Sequence, residues 1–454
     1  MKTLLKSKIF LIGGDIALFF IAFLISIWVR QGVVFEYEYF MENLIKFGFL
    51  LIIWLAVFYT FDLYHLNKFQ GRLDYFKKQV AAIVVLTVFS TLFFYWVPIK
   101  AQVTPKTILL IFAVSFLILW LLFRWVIFHL LSKTGETYLI IGGSSRARQL
   151  FKDLCAPSAQ KKKIFIYSDT FLMDQDCDFA KVIEPPVENL IEAINTHHID
   201  KIIIDAEFPQ THDIINQLFS HISKINSEFY ELNDFVEKFH RTISLETLDK
   251  KWFIYNLKPS QKIYLAGKRA IDLSVGIVGA AILTPLYLII GASIKLDSKG
   301  PVIYKQQRMG QNNKVFYIYK FRTMEHTNEQ TQLLASANDK RITSIGKILR
   351  KTHLDEFPQF INILKGDISI VGPRPEQPQI VEELSLQIPF YNQRHLIKPG
   401  VTGWAQINYP YCATLEEHQY KLRYDLYYLK HKSFIFDIKI IIKTLNDVLF
   451  SKGR

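Results

Sequence analysis

LSVGIVGAAILTPLYLII, residues 273–290, contains no charged residue and is interrupted only by Pro285. Whether it crosses a membrane or dips into one leaflet and returns decides the side on which everything after it lies. As a straight helix it approaches the roughly 30 Å needed to span the apolar layer. Its flanks argue against a crossing, because Lys268 and Arg269 precede it and Lys295 and Lys299 follow. A helix bent at Thr284–Pro285 keeps both cationic flanks at one surface, and proline supplies the break by removing a backbone N–H. The carbonyls freed at that break must find partners locally. We therefore expect a re-entrant membrane helix over about 268–292.

C-terminal to this helix the sequence becomes basic. Residues 261–454 hold 27 Lys/Arg and 16 Asp/Glu, so +11 of the chain's +13 lies there. GPVIYKQQRMGQNNKVFYIYKFRTM (300–324) offers the donors Gln306, Arg308, Lys320 and Arg322, with Gly310 at a turn between two strand-like pieces. Lys neutralises phosphate charge, and Arg adds directed paired hydrogen bonds. ILRKTHLDEFPQFINILKGDISIVGPRPE (348–376) then sets Asp355 beside Glu356, after Arg350 and Lys351. Adjacent helical residues do not share a face, so one carboxylate can attack a phosphoryl centre while the other holds a metal ion. Gln359, Lys365, Asp367 and Glu376 are supporting polar groups, and Pro373 and Pro375 stiffen the turn carrying Arg374. In IKPGVTGWAQINYPY (397–411) two glycines suit a tight loop. ATLEEHQYKLRYDLYYLKHKS (413–433) and FIFDIKIIIKTLNDVLF (434–450) read as amphipathic helices, the latter lying at the interface or packing on the core.

N-terminal to the bent helix, apolar stretches at Ile9–Val29, about Lys46–Phe61, Val80–Val97 and Ile108–Leu131 predict a bundle of four transmembrane helices over 1–132. Lys2, Lys6 and Lys8 before the first span, and Lys68, Arg72, Lys77 and Lys78 after the second, place the N-terminus and second loop in the cytoplasm. Four spans return the chain to that side. Asp15 reads as a hydrated or packed acid rather than a relay, and Arg124 as a snorkelling or paired cation. Residues 133–250 change to strand-and-helix alternation: strands at TYLIIGG (137–143), KKIFIYSD (162–169) and DKIIIDAEFP (200–209), with helices near 145–154, 187–196 and 212–225. This predicts a cytoplasmic Rossmann-like α/β domain. The dinucleotide spacing GxGxxG is absent, since Ser144 and Ala147 stand where further glycines belong. A structural or regulatory module fits better than a cofactor site. Residues 251–266 form a linker to the third part, 267–454, a mostly helical α+β monotopic catalytic domain.

Composition agrees with three parts. The 454 residues are 50% hydrophobic with 37 Phe, which excludes wholesale disorder. Cys155, Cys177 and Cys412 form no CxxC pair, which excludes a disulfide scaffold and argues against a cysteine-rich metal site. The excess positive charge suits anionic lipid and phosphorylated ligands. Nucleic acid is disfavoured, because the charge lies beside membrane-directed segments.

KRAID, SKGPVIYKQQRMG, YKFRTM, THLDEFPQ, SIVGPRPE, IKPGVTGWAQIN and KLRYDLYYLK occur in order over about residues 267–431. With them the chain resembles the bacterial polyprenyl-phosphate glycosyl-1-phosphate transferases of the large monotopic kind. The resemblance implies an enzyme of the inner (cytoplasmic) membrane, multi-pass, that initiates exopolysaccharide or surface-glycan assembly. It would transfer a sugar-1-phosphate from a UDP-sugar to polyprenyl (undecaprenyl) phosphate and release UMP. By the same resemblance Asp355 is the covalent nucleophile and Glu356 the Mg²⁺ ligand. Arg350 and Arg374 are phosphate-site residues and Lys320 and Arg322 either ligands or structural partners, while Arg308 joins the phosphate-binding candidates on its charge alone. Thr284–Pro285 is the membrane break, where the family often has Ser-Pro. His353 replaces a small hydroxyl residue, and Tyr409-Pro410-Tyr411 replaces a Gly-Arg continuation, which bears on donor-sugar recognition. The bundle and α/β module offer surfaces for self-association and for polysaccharide-assembly proteins.

Two rivals stay open on the residues alone. A non-catalytic membrane scaffold would keep the acidic pair and basic motifs without phosphate transfer. A glycosyltransferase moving the sugar alone would release UDP.

Overall fold

The computed structural model describes residues 8–450 except 33–36, 61–62, 65–78, 81, 84–85, 88–89, 92–104, 133–135, 157–161, 169–179, 184–186, 210, 223–224, 226, 258–261, 326–340 and 410–413. It divides into two compact units, Met1–Phe239 and His240–Arg454.

Among its described residues the first unit begins with helices α1 (Lys8–Gln31), α2 (Tyr37–Thr60) and α3 (Pro105–Ser132), with further helical residues between α2 and α3. Among the described residues two helical stretches, Ile9–Arg30 and Ile108–Ile127, are long and apolar enough to cross a membrane, and Asn43–Tyr59 is a shorter apolar helix. Most of the expected third span, Val80–Val97, lies outside the described residues, although Ala82, Ile83 and Leu86 are helical and buried. Aromatic rings fill the bundle: Phe19 meets Phe112 edge-on at 4.7 Å, and Phe58 stacks on Trp120 at 4.6 Å. Such pairs contribute beyond the area they bury. Asp15 is 1% exposed and accepts from Trp120 Nε1 at 2.7 Å and Arg124 Nη2 at 2.6 Å. Both charges are thus consumed in packing α1 on α3, and of the two expectations for Arg124, pairing holds.

The same unit contains a five-stranded parallel sheet: β1 (Glu136–Ile141), β2 (Lys162–Tyr167), β3 (Ala180–Ile183), β4 (Lys201–Ile204) and β5 (Glu228–Glu231), in the order β3-β2-β1-β4-β5. Helices α4 (Ser145–Cys155), α5 (Val187–His197), α6 (Thr211–Ser220) and α7 (Leu232–His240) cover it. Successive residues of β1 face opposite ways, as strand geometry requires. Tyr138 and Ile140 pack with Leu150 of α4 and Phe235 of α7, while Leu139 and Ile141 pack with Leu190 of α5 and Ile214 of α6. Burial on both faces explains the uninterrupted apolar runs. The order reverses at β1 and β4, where doubly wound sheets open a ligand crevice. Here Gly142 turns at φ +123, and a Cβ on it would lie 2.5 Å from Asp205 Cβ. Asp205 Oδ2 accepts from Ser144 N at 3.3 Å, and Ser144 Oγ accepts from Ala147 N at 3.3 Å. The glycine therefore admits a carboxylate of the chain itself at the start of α4.

The second unit opens with α8 (Lys250–Asn256) and the long α9 (Lys262–Asp297). The arms Lys262–Ala281 and Leu283–Asp297 of α9 meet at 56°. Pro285 causes this in two ways, because it has no N–H to give to Ala281 and its ring crowds that carbonyl. Thr284 Oγ1 also donates to Ala280 O at 2.7 Å, a back-bond that bends helices. Beyond α9 come an antiparallel hairpin, β6 (Ile303–Met309) and β7 (Val315–Phe321), then α10 (Ser344–Thr352), α11 (Gln359–Lys365), β8 (Ser369–Val371), α12 (Pro378–Gln387), β9 (Gly400–Thr402), α13 (Trp404–Asn408), α14 (Leu415–His431) and α15 (Phe434–Phe450). Strands β8 and β9 pair in parallel. Ile243 of the segment before α8 packs with Val381, Leu384, Leu422 and Leu426.

The start of α9 is tied into this unit by charge. Lys268 Nζ reaches Asp437 of α15 at 2.6 Å, Arg269 donates to the Ile363 and Leu364 carbonyls at 2.6 and 2.7 Å, and Asp272 accepts from Ser369 Oγ and Ile370 N. Arg269 thus adds a charged donor to the carbonyls at the end of α11, where among the described residues Ile363 O otherwise accepts only from the capping Gly366 N–H at 3.1 Å. The two cations read from the sequence as a membrane flank are thus engaged by the protein. Close approach of α9 to α11 needs Gly279, where a Cβ would sit 2.6 Å from the Phe360 ring.

Candidate active site

Helix α10 ends in a left-handed residue, His353 (φ 57), whose N–H returns to the Arg350 carbonyl. A 3₁₀ turn over Leu354–Glu356 follows, then Pro358 and α11. The acidic pair therefore sits on a tight turn between two short helices, not within a helix. Its residues still point in different directions, since neighbours in a 3₁₀ turn are about 120° apart. His353 is exposed and supplies the left-handed end of α10.

The two carboxylates have opposite surroundings. Glu356 Oε1 accepts from Lys320 Nζ at 2.8 Å and lies 3.7 Å from Arg374 Nη2. Burial would raise its pKa, but Lys320 and Arg374 outweigh that and hold it at about 2. At an effective dielectric constant near 20, opposite charges 4 Å apart attract by about 4 kcal/mol, enough to decide that contest. Asp355 has no ion pair within 4 Å among the described residues. Burial first, and then the Glu356 charge, push its pKa above the ordinary value, against a smaller pull from Lys320. One carboxylate is thus fixed as an anion and its neighbour is kept more basic.

Strand β7 carries Lys320 to the pair, and Asn362 fixes β7. This fully buried side chain accepts from Tyr319 N at 3.0 Å and donates to Tyr317 O at 2.7 Å, extending the strand's ladder from α11. Asp367 accepts from the same amide at 3.1 Å. Sequence reasoning missed Asn362. Its signal is a lone amide in the apolar run FINIL.

The other residues expected at the site fall into two groups. Arg308 donates to Gln306 Oε1 at 2.8 Å and to Pro375 O at 3.1 Å, and lies 3.8 Å from Glu376. With Pro373 and Arg374 these residues build the loop facing Glu356. Arg350 Nε donates to Thr323 Oγ1 at 3.0 Å, one helical turn before the pair. Arg322 is drawn away from it: 6% exposed, it donates to the Ser298 and Lys299 carbonyls at 2.7 and 3.0 Å and to Ser298 Oγ, closing the end of α9. Of the two readings given it, the structural one matches this geometry. Gln359 is buried in the first turn of α11. Thr284 and Pro285 are exposed at the bend of α9. Tyr409 stacks on Tyr420 at 5.9 Å, and Pro410 and Tyr411 lie outside the described residues.

Among the described residues no three His, Cys, Asp or Glu side chains converge. The donor set at the turn is two carboxylates, with Glu356 Oε2 making no hydrogen bond or ion pair among the described residues. That fits Mg²⁺, which takes one or two carboxylates and fills its shell with water and substrate phosphate oxygens.

Residues 263–451 match the model of the bacterial sugar transferase family. The chain is 42% identical over 199 residues to the UDP-N-acetylgalactosamine-undecaprenyl-phosphate N-acetylgalactosaminephosphotransferase of Aeromonas hydrophila, covering 44% of this chain and 47% of that one. It is 42% identical over 181 residues to the UDP-glucose:undecaprenyl-phosphate glucose-1-phosphate transferase of Escherichia coli (strain K12), 39% of each chain. Both matches take in less than half of the relative's own length. Over 186 residues it is 38% identical to the sugar transferase EpsL of Bacillus subtilis (strain 168), covering 41% of this chain and 89% of that protein. With the family model matched from the bent helix to α15, and a relative matched over nearly its full length, the chain belongs to the bacterial sugar transferase family.

Proposed function

We propose that this protein transfers a sugar-1-phosphate from a UDP-sugar to polyprenyl phosphate, releasing UMP and leaving a sugar joined to the lipid through a diphosphate. The observation that carries this reading is the unequal carboxylate pair beside Lys320 and Arg374, in the same unit as a bent apolar helix. Two relatives whose names specify undecaprenyl phosphate as acceptor support the reaction class. One names an N-acetylgalactosamine donor and the other glucose, so the sugar is read no further than a hexose or N-acetylated hexose.

In this mechanism an Asp355 carboxylate oxygen attacks the β-phosphorus of the donor. The bond from that phosphorus to the bridging oxygen breaks, UMP leaves, and a phosphosugar stays on Asp355 as an acyl phosphate. A phosphate oxygen of the lipid then attacks the same phosphorus and frees the carboxylate. The raised pKa of Asp355 makes it the better nucleophile, and the lowered pKa of Glu356 keeps that group ionised. Glu356 Oε2, with Asp355 beside it, would hold Mg²⁺, which supplies charge neutralisation on the leaving phosphate. Lys320 and Arg374 orient Glu356 and meet phosphate oxygens. The bent helix α9 seats the site in the cytoplasmic leaflet, where a soluble nucleotide donor meets a very apolar acceptor. Residues 1–132 anchor the chain in the bacterial inner membrane, the α/β part ending at Phe239 forms a structural or regulatory module, and the unit from His240 onward carries the chemistry on the cytoplasmic side.

A panel of UDP-sugars with polyprenyl phosphate, followed for released nucleotide and lipid product mass, tests the proposal. It predicts UMP and a diphosphate-linked sugar with one donor. Release of UDP with a monophosphate-linked product would establish simple sugar transfer, and no nucleotide release with any donor would leave the scaffold reading.

A further inference from the structure

The loop carrying Arg374 is pinned at three consecutive carbonyls: Arg374 O accepts from Arg394 Nη2 at 3.1 Å, Pro375 O from Arg308 Nη1 at 3.1 Å, and Glu376 O from Met309 N at 2.8 Å. The Arg394 contact comes from deep inside the protein. Arg394 and Asp425 have side chains 1% and 2% exposed, with Nη2 and Oδ2 2.7 Å apart and Nε donating to the same oxygen at 2.9 Å. Arg394 Nη1 donates to Tyr391 Oη at 3.1 Å. One turn earlier on α14, Lys421 pairs with the Glu376 carboxylate. Burial would raise the Glu376 pKa, but Lys421, Arg394 and Arg308 hold it at about 2. A buried arginine whose three nitrogens are committed to an acid, a phenol and a backbone carbonyl is a rigid strut, because its planar fork fixes all three directions at once. Beyond the strut, the Arg374 guanidinium is 44% exposed and stands 3.7 Å from Glu356.

We infer that the buried Arg394–Asp425 pair is a positioning device for Arg374, holding that guanidinium at Glu356 and at the donor's diphosphate. The inference rests on the proposed reaction for the ligand but not for the geometry. Arg394 touches neither the carboxylate pair nor the space in front of it. Its one hydrogen bond to the loop is to the Arg374 carbonyl, so its effect on Glu356 should vanish once the Arg374 guanidinium is gone. Stability alone would not require the pair, since a buried ion pair is often replaceable by apolar residues.

The test is a double-mutant cycle in the full-length chain, with two readouts: the Glu356 titration, from its carboxyl ¹³C shift, and the affinity for UDP. Arg394→Lys keeps a cation for Asp425, but its one nitrogen cannot reproduce the contacts that Nε, Nη1 and Nη2 make together with Asp425, Tyr391 and the Arg374 carbonyl. It is expected to raise the Glu356 pKa toward that in Arg374→Ala and to weaken UDP about tenfold, by misplacing one charge-assisted contact. In an Arg374→Ala background it should change neither quantity. Arg394→Met/Asp425→Leu, which removes the pair without leaving a buried charge, should behave the same way, and thermal unfolding identifies any variant that has lost its fold. An Arg394→Lys effect that multiplies through in the Arg374→Ala background, or no effect in the wild type, overturns the inference. If the wild type does not bind UDP yet the Glu356 titration responds as described, the positioning stands and the donor reading falls.

Discussion

Lys320 and Glu356 lie 36 positions apart in sequence and 2.8 Å apart at the site, with Lys320 Nζ on Glu356 Oε1. Asp355, the residue before Glu356, makes no ion pair among the described residues. From this unequal division of charge the two acids acquire different chemistry.

Removing the lysine should equalise them. In Lys320→Met, Glu356 loses its nearest cation and its pKa rises from about 2, while Asp355 loses a smaller favourable interaction. We expect kcat/KM for UMP release to fall on the order of 100-fold, the usual loss of one charged group at a phosphoryl centre. Steady-state kinetics checks this. A loss under threefold contradicts it.

The acid limb of the pH–rate profile should belong to Asp355. Attack requires the ionised carboxylate, and its pKa is raised, so the rate climbs with pH through that value and then levels. Glu356 is already ionised over the same range. Stability changes in the same direction but at lower pH, through Glu356 and Glu376, whose folded pKa values are depressed from 4.5 to about 2. Their contribution is complete above pH 4.5 and is lost as pH falls toward 2. Initial rates and unfolding midpoints measured across pH 3–8 separate the two effects.

The bend of α9 should depend on Pro285. Pro285→Ala restores the N–H to Ala281 and removes the ring clash, leaving only the Thr284 back-bond to favour the 56° angle. Single cysteines at the exposed Ile263 and Leu296 report the topology by labelling with an impermeant thiol reagent. In the parent chain both ends label from the same side, and in Pro285→Ala a population labels from opposite sides. Opposite-side labelling in the parent would establish an ordinary crossing.

Gly142→Ala should unsettle the sheet without touching the chemistry. It combines a backbone angle of +123° with a Cβ 2.5 Å from Asp205. The cost is about 1–3 kcal/mol. Hydrogen exchange over β1 should accelerate while the kcat of the detergent-solubilised enzyme stays within twofold.

How much of this could be read from the sequence follows the range of the interactions. β1, β2 and β4 are buried on both faces and announce themselves as apolar runs. β3 (AKVI) and β5 (EFYE) are short, partly exposed edges without that signal. The bend in α9 was legible because proline acts on its own turn. Lys268 and Arg269 read as a cationic membrane flank, and their protein partners were not legible because Asp437 and the carbonyls of Ile363 and Leu364 lie 94 to 169 residues away. Lys421 and Asp425 looked like the polar face of an amphipathic helix. They are buried, and their charges are matched by Glu376 and Arg394 from other segments. The acidic pair was conspicuous, but the unequal division of cations between its members depends on Asn362 holding β7; the lone amide in FINIL marks that residue without naming partners 43 and 45 residues away.

The most direct measurement is the mass of the full-length protein after brief reaction with a UDP-sugar in the absence of lipid acceptor, with peptide mapping of any adduct. Covalent transfer predicts up to one sugar-phosphate per chain on the peptide bearing Asp355, UMP released in equal amount, and loss of both in Asp355→Asn. UMP formed only when polyprenyl phosphate is present, with no adduct on that peptide, would contradict the role assigned to Asp355.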